Sequence, residues 1–284
     1  MTAVPERLLI VNADDYGLTP AVSRGILRGV HEGVVTSTSV LVLGSGFTRS
    51  VDWLRDETSL GVGVHLALVG EDPPLSAARD IPTLVDRRGR LARSWRHLLP
   101  KVMAKRIDLG DVERELAAQI GAAHDAGLSI DHLNSHQHVH MFPGLREVVV
   151  DLAHRFDVPA VRVTRMQGRG PVARLMRRLA TTLERELQAD GIVFPRGAAG
   201  LDEAGRFDET AMLRALDRFA ATDVSSVELS GHPGEAEDDE RHRYRWGYHW
   251  GAELDAVLSP RVRQAIDQHG YRLGTYRDLA ATRL

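Results

Sequence analysis

Short apolar runs alternate along this chain with stretches in which hydrophobic residues recur every three or four positions. The runs "LLIVNA" (8–13), "STSVLVLG" (37–44) and "LGVGVHLAL" (60–68) read as strands. Between them, "AVSRGILRGVHEG" (21–33) and "FTRSVDWLRDE" (47–57) carry helical spacing. A longer helical pattern (111–127) leads into "SIDHLNSHQHVH" (129–140), read as a further strand. Then follow helical "GLREVVVDLAHRF", strand-like "PAVRVTR" (159–165), a basic helix near 171–189, helical "ETAMLRALDRFA" and strand-like "SSVELSGHPGE" (225–235). The tail "SPRVRQAIDQHGYRLGTYRDLA" reads as helix, short strand, helix.

Such alternation over the whole length predicts an α/β fold, a parallel sheet flanked by helices. The strands read as apolar on both faces, as a sheet covered on both sides requires. An open doubly wound sheet and a closed barrel both fit this pattern. No Gly-rich phosphate loop follows the first strand, which argues against a dinucleotide site. The least regular stretch, 69–110, is rich in proline and charge and too long for a plain connection, so it reads as a lid or insertion in a single domain spanning 1–284.

Composition narrows the classes. A net charge of −3, with 26% charged and 43% hydrophobic residues, describes a soluble chain with material for a large core. There is no basic block for nucleic acid. The absence of cysteine removes thiolate metal sites and disulfides and fits a cytoplasmic location. The N-terminus lacks the features of a signal peptide, and no apolar run approaches the ~20 residues that span a bilayer.

The chemistry gathers at the C-terminal ends of the strands, where parallel α/β folds build their sites. The first strand runs out in Asp14 and Asp15. The third holds His65 within an apolar run. The fourth contributes Asp131, His132, His136, His138 and His140, the fifth Arg162 and Arg165, and the sixth Glu228 and His232. Taken singly, each has an ordinary explanation: Asp15 as a helix cap, His65 as a core histidine. The histidines of "SHQHVH" recur with period two, so in an extended segment they share a face. The simplest chemistry that uses the set is one divalent metal held by a carboxylate and two histidines. Such an ion acidifies water and polarises a carbonyl or phosphoryl oxygen. Imidazole ligands suit Zn²⁺, Fe²⁺, Mn²⁺ or Co²⁺ better than Mg²⁺. If one of the adjacent carboxylates binds the metal, its neighbour cannot point the same way from an extended backbone, although it can still reach a water at the metal.

The segments "LLIVNADDYGLTPAVSRGI", "GVVTSTSVLV", "GVGVHLAL", "DHLNSHQHVHMFP", "VRVTR", "GHPGE" and "YRLGTYRDL" resemble the YdjC-like carbohydrate deacetylases, which include chito-oligosaccharide deacetylases and hopanoid-biosynthesis-associated relatives. The resemblance implies an irregular (β/α) barrel related to the polysaccharide deacetylase barrel. It also implies removal of an N-acetyl group from an amino sugar, with release of acetate. Carried over residue by residue, it makes Asp15, His65 and His136 the metal ligands, Asp14 the general base and His232 a general acid. Arg162 and Arg165 become an arginine pair lining the site, with His138 and His140 beside the ligand. Magnesium is the usual metal of the family, whereas the ligand chemistry favours zinc. The family's "SHHHVH" is "SHQHVH" here, with Gln137 in place of an imidazole. Two rival readings stand beside it: a metal-dependent phosphoesterase and a non-catalytic carbohydrate-binding barrel. The expected partner is an N-acetylated sugar, with a homodimer left open as the assembly. Tyr244, Trp246, Tyr248 and Trp250 alternate in "YRWGYHW"; extended, they would share one face, and Trp246 is a candidate platform for the sugar ring.

Overall fold

The computed structural model describes residues 7–282. The leading residues 1–6, on which the signal-peptide reading partly rests, lie outside it. Among the described residues, no helix is long and apolar enough to cross a membrane.

The strands, in chain order, are β1 (Arg7–Tyr16), β2 (Ser37–Val40), β3 (Gly61–Leu66), β4 (His132–Ser135), β5 (Ala160–Val161), β6 (Gly197–Ala199), β7 (Ser226–Gly231) and β8 (Tyr271–Leu273). All pair in parallel, in the order β5-β4-β3-β2-β1-β7-β6. β8 lies against the first residues of β1, on the edge that β2 takes further along. The sheet curls until its ends meet: Ala160 of β5 bridges Val193, just before β6, through Val161 N–H to the Val193 carbonyl (3.1 Å) and Val193 N–H to the Pro159 carbonyl (2.9 Å). The (β/α) barrel is therefore the outcome, and the open doubly wound sheet is not. β6 is three residues of Gly and Ala, too short and too small to register as an apolar run.

The helices are α1 (Pro20–His31), α2 (Phe47–Ser50), α3 (Trp95–Met103), α4 (Leu109–Asp125), α5 (Leu145–Arg155), α6 (Pro171–Ala189), α7 (Glu209–Ala220), α8 (Trp250–Leu258), α9 (Pro260–Gln268) and α10 (Tyr276–Ala281). Helix α1 begins where Thr19 accepts a hydrogen bond from Val22 N–H, with Pro20 at its first position. Thr19, not Asp15, is the cap, which leaves Asp15 free for other work.

The strands are not apolar on both faces. Outward residues such as Leu9, Val11, Val62, Val64, Leu133, Val227 and Leu229 join the helices in the main core. Inward, β1 presents Leu8 and Ile10, which pack with Tyr276 of α10 and plug the N-terminal end of the barrel. Above that plug the same face turns polar. Asn12, Asp14, Ser39, His65, His132, Asn134, Arg162 and Glu228 are all buried there and bonded to one another. Burying polar groups is costly unless they are paired, and a small barrel can pair them across its interior.

The stretch 69–94 holds one bridge, Val69 with Ala92, and is tied down by α4. Glu115 accepts from the N–H groups of Leu75 and Ser76, and Asp111 from Thr83. Helix α3 then carries Trp95 and Arg96 to the cavity described next.

Candidate metal centre

The two adjacent carboxylates are reconciled by the backbone. Pairing between β1 and β2 advances three residues on β1, from Ala13 to Tyr16, against two on β2, from Thr38 to Val40. The extra residue is a bulge, and Asp15 within it adopts φ +68°, the left-handed region that Asp tolerates better than most residues. Side-chain alternation is broken there, so Asp15 faces the same interior as Asp14.

Asp15, His65 and His136 each offer a ligand atom within 4.8 Å of the others. His65 Nε2 lies 3.4 Å and His136 Nδ1 3.8 Å from Asp15 Oδ1. Asp15 is fully buried, yet neither carboxylate oxygen has a hydrogen-bond partner. A buried, unpaired carboxylate is costly unless a cation completes it. Burial pushes His136 down to about 4 against the pull of Asp15, so its ring is neutral and keeps a lone pair. An unsatisfied carboxylate beside two imidazoles fits one divalent ion of the zinc type.

Asp14 is held differently. Its Oδ2 accepts from Arg162 Nη1 (2.7 Å), and its Oδ1 from Arg162 Nη2 (2.9 Å) and Asn12 Nδ2 (2.9 Å). Burial alone would raise its pKa. The Arg162 guanidinium overrides this and holds the carboxyl well below the usual range. Arg162 also pairs with Glu228, so this fully buried arginine bridges two carboxylates.

His232 follows β7, with the Glu253 carboxylate of α8 3.7 Å from its Nδ1, an ion-pair separation rather than a hydrogen bond. Burial pushes His232 down, but Glu253, Asp15 and Asp14 outweigh it and raise it to about 9, so the ring is cationic at neutral pH. Asp14, His65, His136 and His232 all line one cavity of about 600 Å³. Trp246 packs on His136 (4.8 Å between ring centres) and Tyr248 on His232 (4.6 Å). Trp95, Phe142, Met166 and Val172 form apolar walls.

Residues 8–268 match the model of the family described as YdjC-like protein. This chain belongs to the YdjC-like family. It is 34% identical over 280 residues to a chitooligosaccharide deacetylase of Enterobacter sp. (strain 638), covering 96% of this chain and all of that one. It is 40% identical over 151 residues, 53% of this chain and 57% of the other, to a carbohydrate deacetylase of Brevibacillus brevis. A crystal structure from Enterococcus faecalis, of a protein named for cellobiose-phosphate cleavage, superposes with a TM-score of 0.80 at 26% identity, over 96% of this chain and 99% of that one.

Other residues singled out in this YdjC-like sequence fall elsewhere. "SHQHVH" is not extended: after His136 the chain enters a short 3₁₀ segment, with Gln137 and His138 at φ near +55°. The three histidines therefore share no face, and they part. His138 stands at the cavity wall beside Thr164 (3.2 Å). His140 is buried, bonded to Ser135 Oγ (2.6 Å) and the Arg162 carbonyl (3.0 Å), where it shapes the turn rather than meeting the metal. Arg165 does not join Arg162 at the site but pairs with Glu184 of α6. The odd spacing of three places the two arginines on opposite faces of an extended chain. Trp250 opens α8 and, like Tyr244, is buried, so the four aromatics form a packed cluster rather than one extended face. Sequence reasoning passed over Glu253. Its one signal is an acidic residue three after Trp250 and four before Val257, on the buried face of a short apolar helix.

Proposed function

We propose that this chain is a metal-dependent hydrolase that removes the N-acetyl group from an amino sugar and releases acetate. The observation that carries the reading is the pair of orphaned Asp15 oxygens facing the imidazoles of His136 and His65, with an anionic Asp14 and a cationic His232 in the same cavity. The relatives named for deacetylation of carbohydrates support the substrate class.

A divalent ion held by Asp15, His65 and His136 would lower the pKa of water and stabilise negative charge on a carbonyl oxygen. The donor set favours zinc over magnesium. The chain's own groups carry the protons. Asp14, kept ionised by Arg162, accepts a proton from the water that attacks the acetyl carbon. So acidic a carboxylate is a weak base, and it serves only where the water is itself made acidic. As the C–N bond breaks, His232 gives its proton to the departing amine, and Glu253 stabilises the charged ring beforehand. Trp246 and Tyr248 offer flat faces to the sugar, and α3 brings Trp95 and Arg96 to the cavity as part of one catalytic domain. A phosphoesterase with two metals would need Asp14 as a bridge, but both its oxygens are taken by Arg162.

The test is acetate release from a panel of N-acetylated sugars, soluble and lipid-linked, before and after chelation and after return of Zn²⁺ or Mg²⁺. Release that is lost on chelation and restored by one ion is the expected result. Release indifferent to chelation refutes the metal, and no release from any member refutes the reaction.

A further inference from the structure

Beneath the cavity floor lies a chain of hydrogen bonds that the reaction above does not use. Asp131 Oδ1 lies 2.7 Å from His132 Nδ1, and His132 Nε2 lies 3.0 Å from Ser39 Oγ. These are the residue types of a hydrolytic triad, yet Ser39 is fully buried and does not line the cavity. The chain leads instead to the metal centre. Ser39 Oγ is 2.6 Å from the side-chain amide of Asn134, whose other end is 2.7 Å from Nδ1 of His65. The fold makes room for this. A Cβ on Gly63 would sit 2.4 Å from the His132 ring, and the ring stacks on Tyr276 at 4.0 Å.

Counted from an ionised Asp131 and a singly protonated His132, donors and acceptors give each bond of the chain a direction. An ionised carboxylate only accepts, so His132 Nδ1 carries a proton. With that one proton at Nδ1, Nε2 of His132 offers a lone pair, and the Ser39 hydroxyl donates to it. With its only proton spent, Ser39 Oγ accepts from Asn12 Nδ2 (3.0 Å) and from the Asn134 amino group. That leaves the Asn134 carbonyl facing His65, whose Nδ1 must donate. Nε2 of His65 keeps its lone pair, directed at Asp15. This is the tautomer a metal ligand requires.

An opposing pull acts on the same amide. Arg162 places Nη2 and Nη1 at 3.0 and 3.1 Å from the Asn134 atom beside Ser39, so in the orientation just described the amino group faces two guanidinium donors. If the amide turns, its oxygen accepts from Arg162 and Ser39, and its nitrogen donates to His65 Nδ1. His65 then carries its proton at Nε2 and cannot ligate.

We infer that Asp131, His132 and Ser39 are positioning residues that select the metal-competent tautomer of His65 through the amide of Asn134. The inference rests on the proposed metal centre, but its primary readout needs no metal.

Asp131→Asn is the decisive variant, because it changes no shape. Arg277 Nε, 3.6 Å from Asp131 Oδ2, keeps the amide oxygen on its own side and turns the amino group toward His132. His132 Nδ1 then accepts, Nε2–H donates to Ser39, and the Ser39 hydroxyl donates to the Asn134 carbonyl, so the polarity of the whole chain reverses. Long-range ¹H–¹⁵N correlation on metal-free protein with labelled histidine reports the tautomer, the His65 signals being assigned by their loss in His65→Gln. Wild type is expected as Nδ1–H and Asp131→Asn as Nε2–H, with Zn²⁺ affinity lowered ~10–100-fold, the usual scale for losing an outer-shell partner. Ser39→Ala, which leaves Arg162 unopposed, should also give Nε2–H, and Ser39→Thr should restore Nδ1–H; this pair reads the same quantity should Asp131→Asn not fold. A wild-type Nε2–H tautomer, or one unchanged in Asp131→Asn and Ser39→Ala, overturns the inference. If the tautomers switch but wild type binds no Zn²⁺, the relay stands and the metal reading falls.

Discussion

Replacing Glu253 by glutamine should change how stability depends on pH, and by a calculable amount. In the folded protein His232 rises from 6.5 to about 9, because Glu253, Asp15 and Asp14 outweigh burial. At ~1.36 kcal/mol per pH unit, that rise is worth about 3 kcal/mol. Since the folded pKa lies above the unfolded one, the stabilisation is fully present below pH 6.5 and is lost as pH climbs through about 9. Glu253→Gln removes the group nearest the ring, so His232 falls toward the neutral form that burial favours. A second, pH-independent loss comes from the backbone: Glu253 accepts from the N–H groups of Phe207 and His232, and one glutamine oxygen cannot keep both unstrained. That loss is ~1–3 kcal/mol for an unsatisfied buried donor. Urea unfolding of metal-free protein between pH 6 and 9.5 separates the two effects. The wild-type advantage should be largest at low pH and shrink toward the fixed backbone part as pH rises. Two curves that run parallel across the range would show that Glu253 does not hold the charge on His232.

Asp14→Asn should retain Zn²⁺ affinity and lose turnover by the ~10²–10⁴-fold typical of a missing general base; less than about a tenfold loss would hand the proton to another group. Asp15→Asn and His136→Ala should lose the metal in elemental analysis while His138→Ala keeps it, and retention in all three would sink the ligand assignment. Arg162→Met should cost ~3–5 kcal/mol in denaturant unfolding, by stranding Asp14 and Glu228, whereas Arg165→Met, which removes one half-buried ion pair, should cost clearly less, on the order of 1 kcal/mol. Trp246→Ala should raise KM with little change in melting temperature, and Trp250→Ala should lower the melting temperature; the reverse pattern would exchange the roles of the two rings.

Legibility in the sequence followed the size of each signal. Apolar runs such as those of β1 and β3 stood out because several residues of one character close together exceed chance. β6 did not, since closure of the barrel asks only for backbone and small side chains at Gly197–Ala199. Asp14, Asp15, His65 and His232 could be placed near one another because strand ends in a parallel sheet converge by topology. What no local pattern carries is direction. The bulge at Asp15, the turn at Gln137 and the outward swing of Arg165 each decide which way a side chain points, and each depends on pairing with distant residues. The inward polar face was likewise obscured. Glycine, serine and asparagine interrupt β1, β2 and β3 without breaking their strand character, and their role appears only when the opposite strands are in place.

The seam of the barrel divides the molecule into a firm side and a yielding one. Closure at β5 rests on two backbone hydrogen bonds to Val193, against the continuous six-residue register that joins β1 to β7. Weakly tied segments open first. Helix α6 is strung between the two halves of that seam, and its Val172, Leu175 and Met176 wall the cavity. Breathing there moves a wall outward while the strands carrying Asp14, Asp15 and His65, and the one leading to His232, stay in register. The groups that make and break bonds are thus anchored where the barrel is stiffest, and the surface that must accommodate the bulk of a substrate hangs from its least constrained joint. Variation in α6 can retune what the cavity admits and leave the reacting geometry intact.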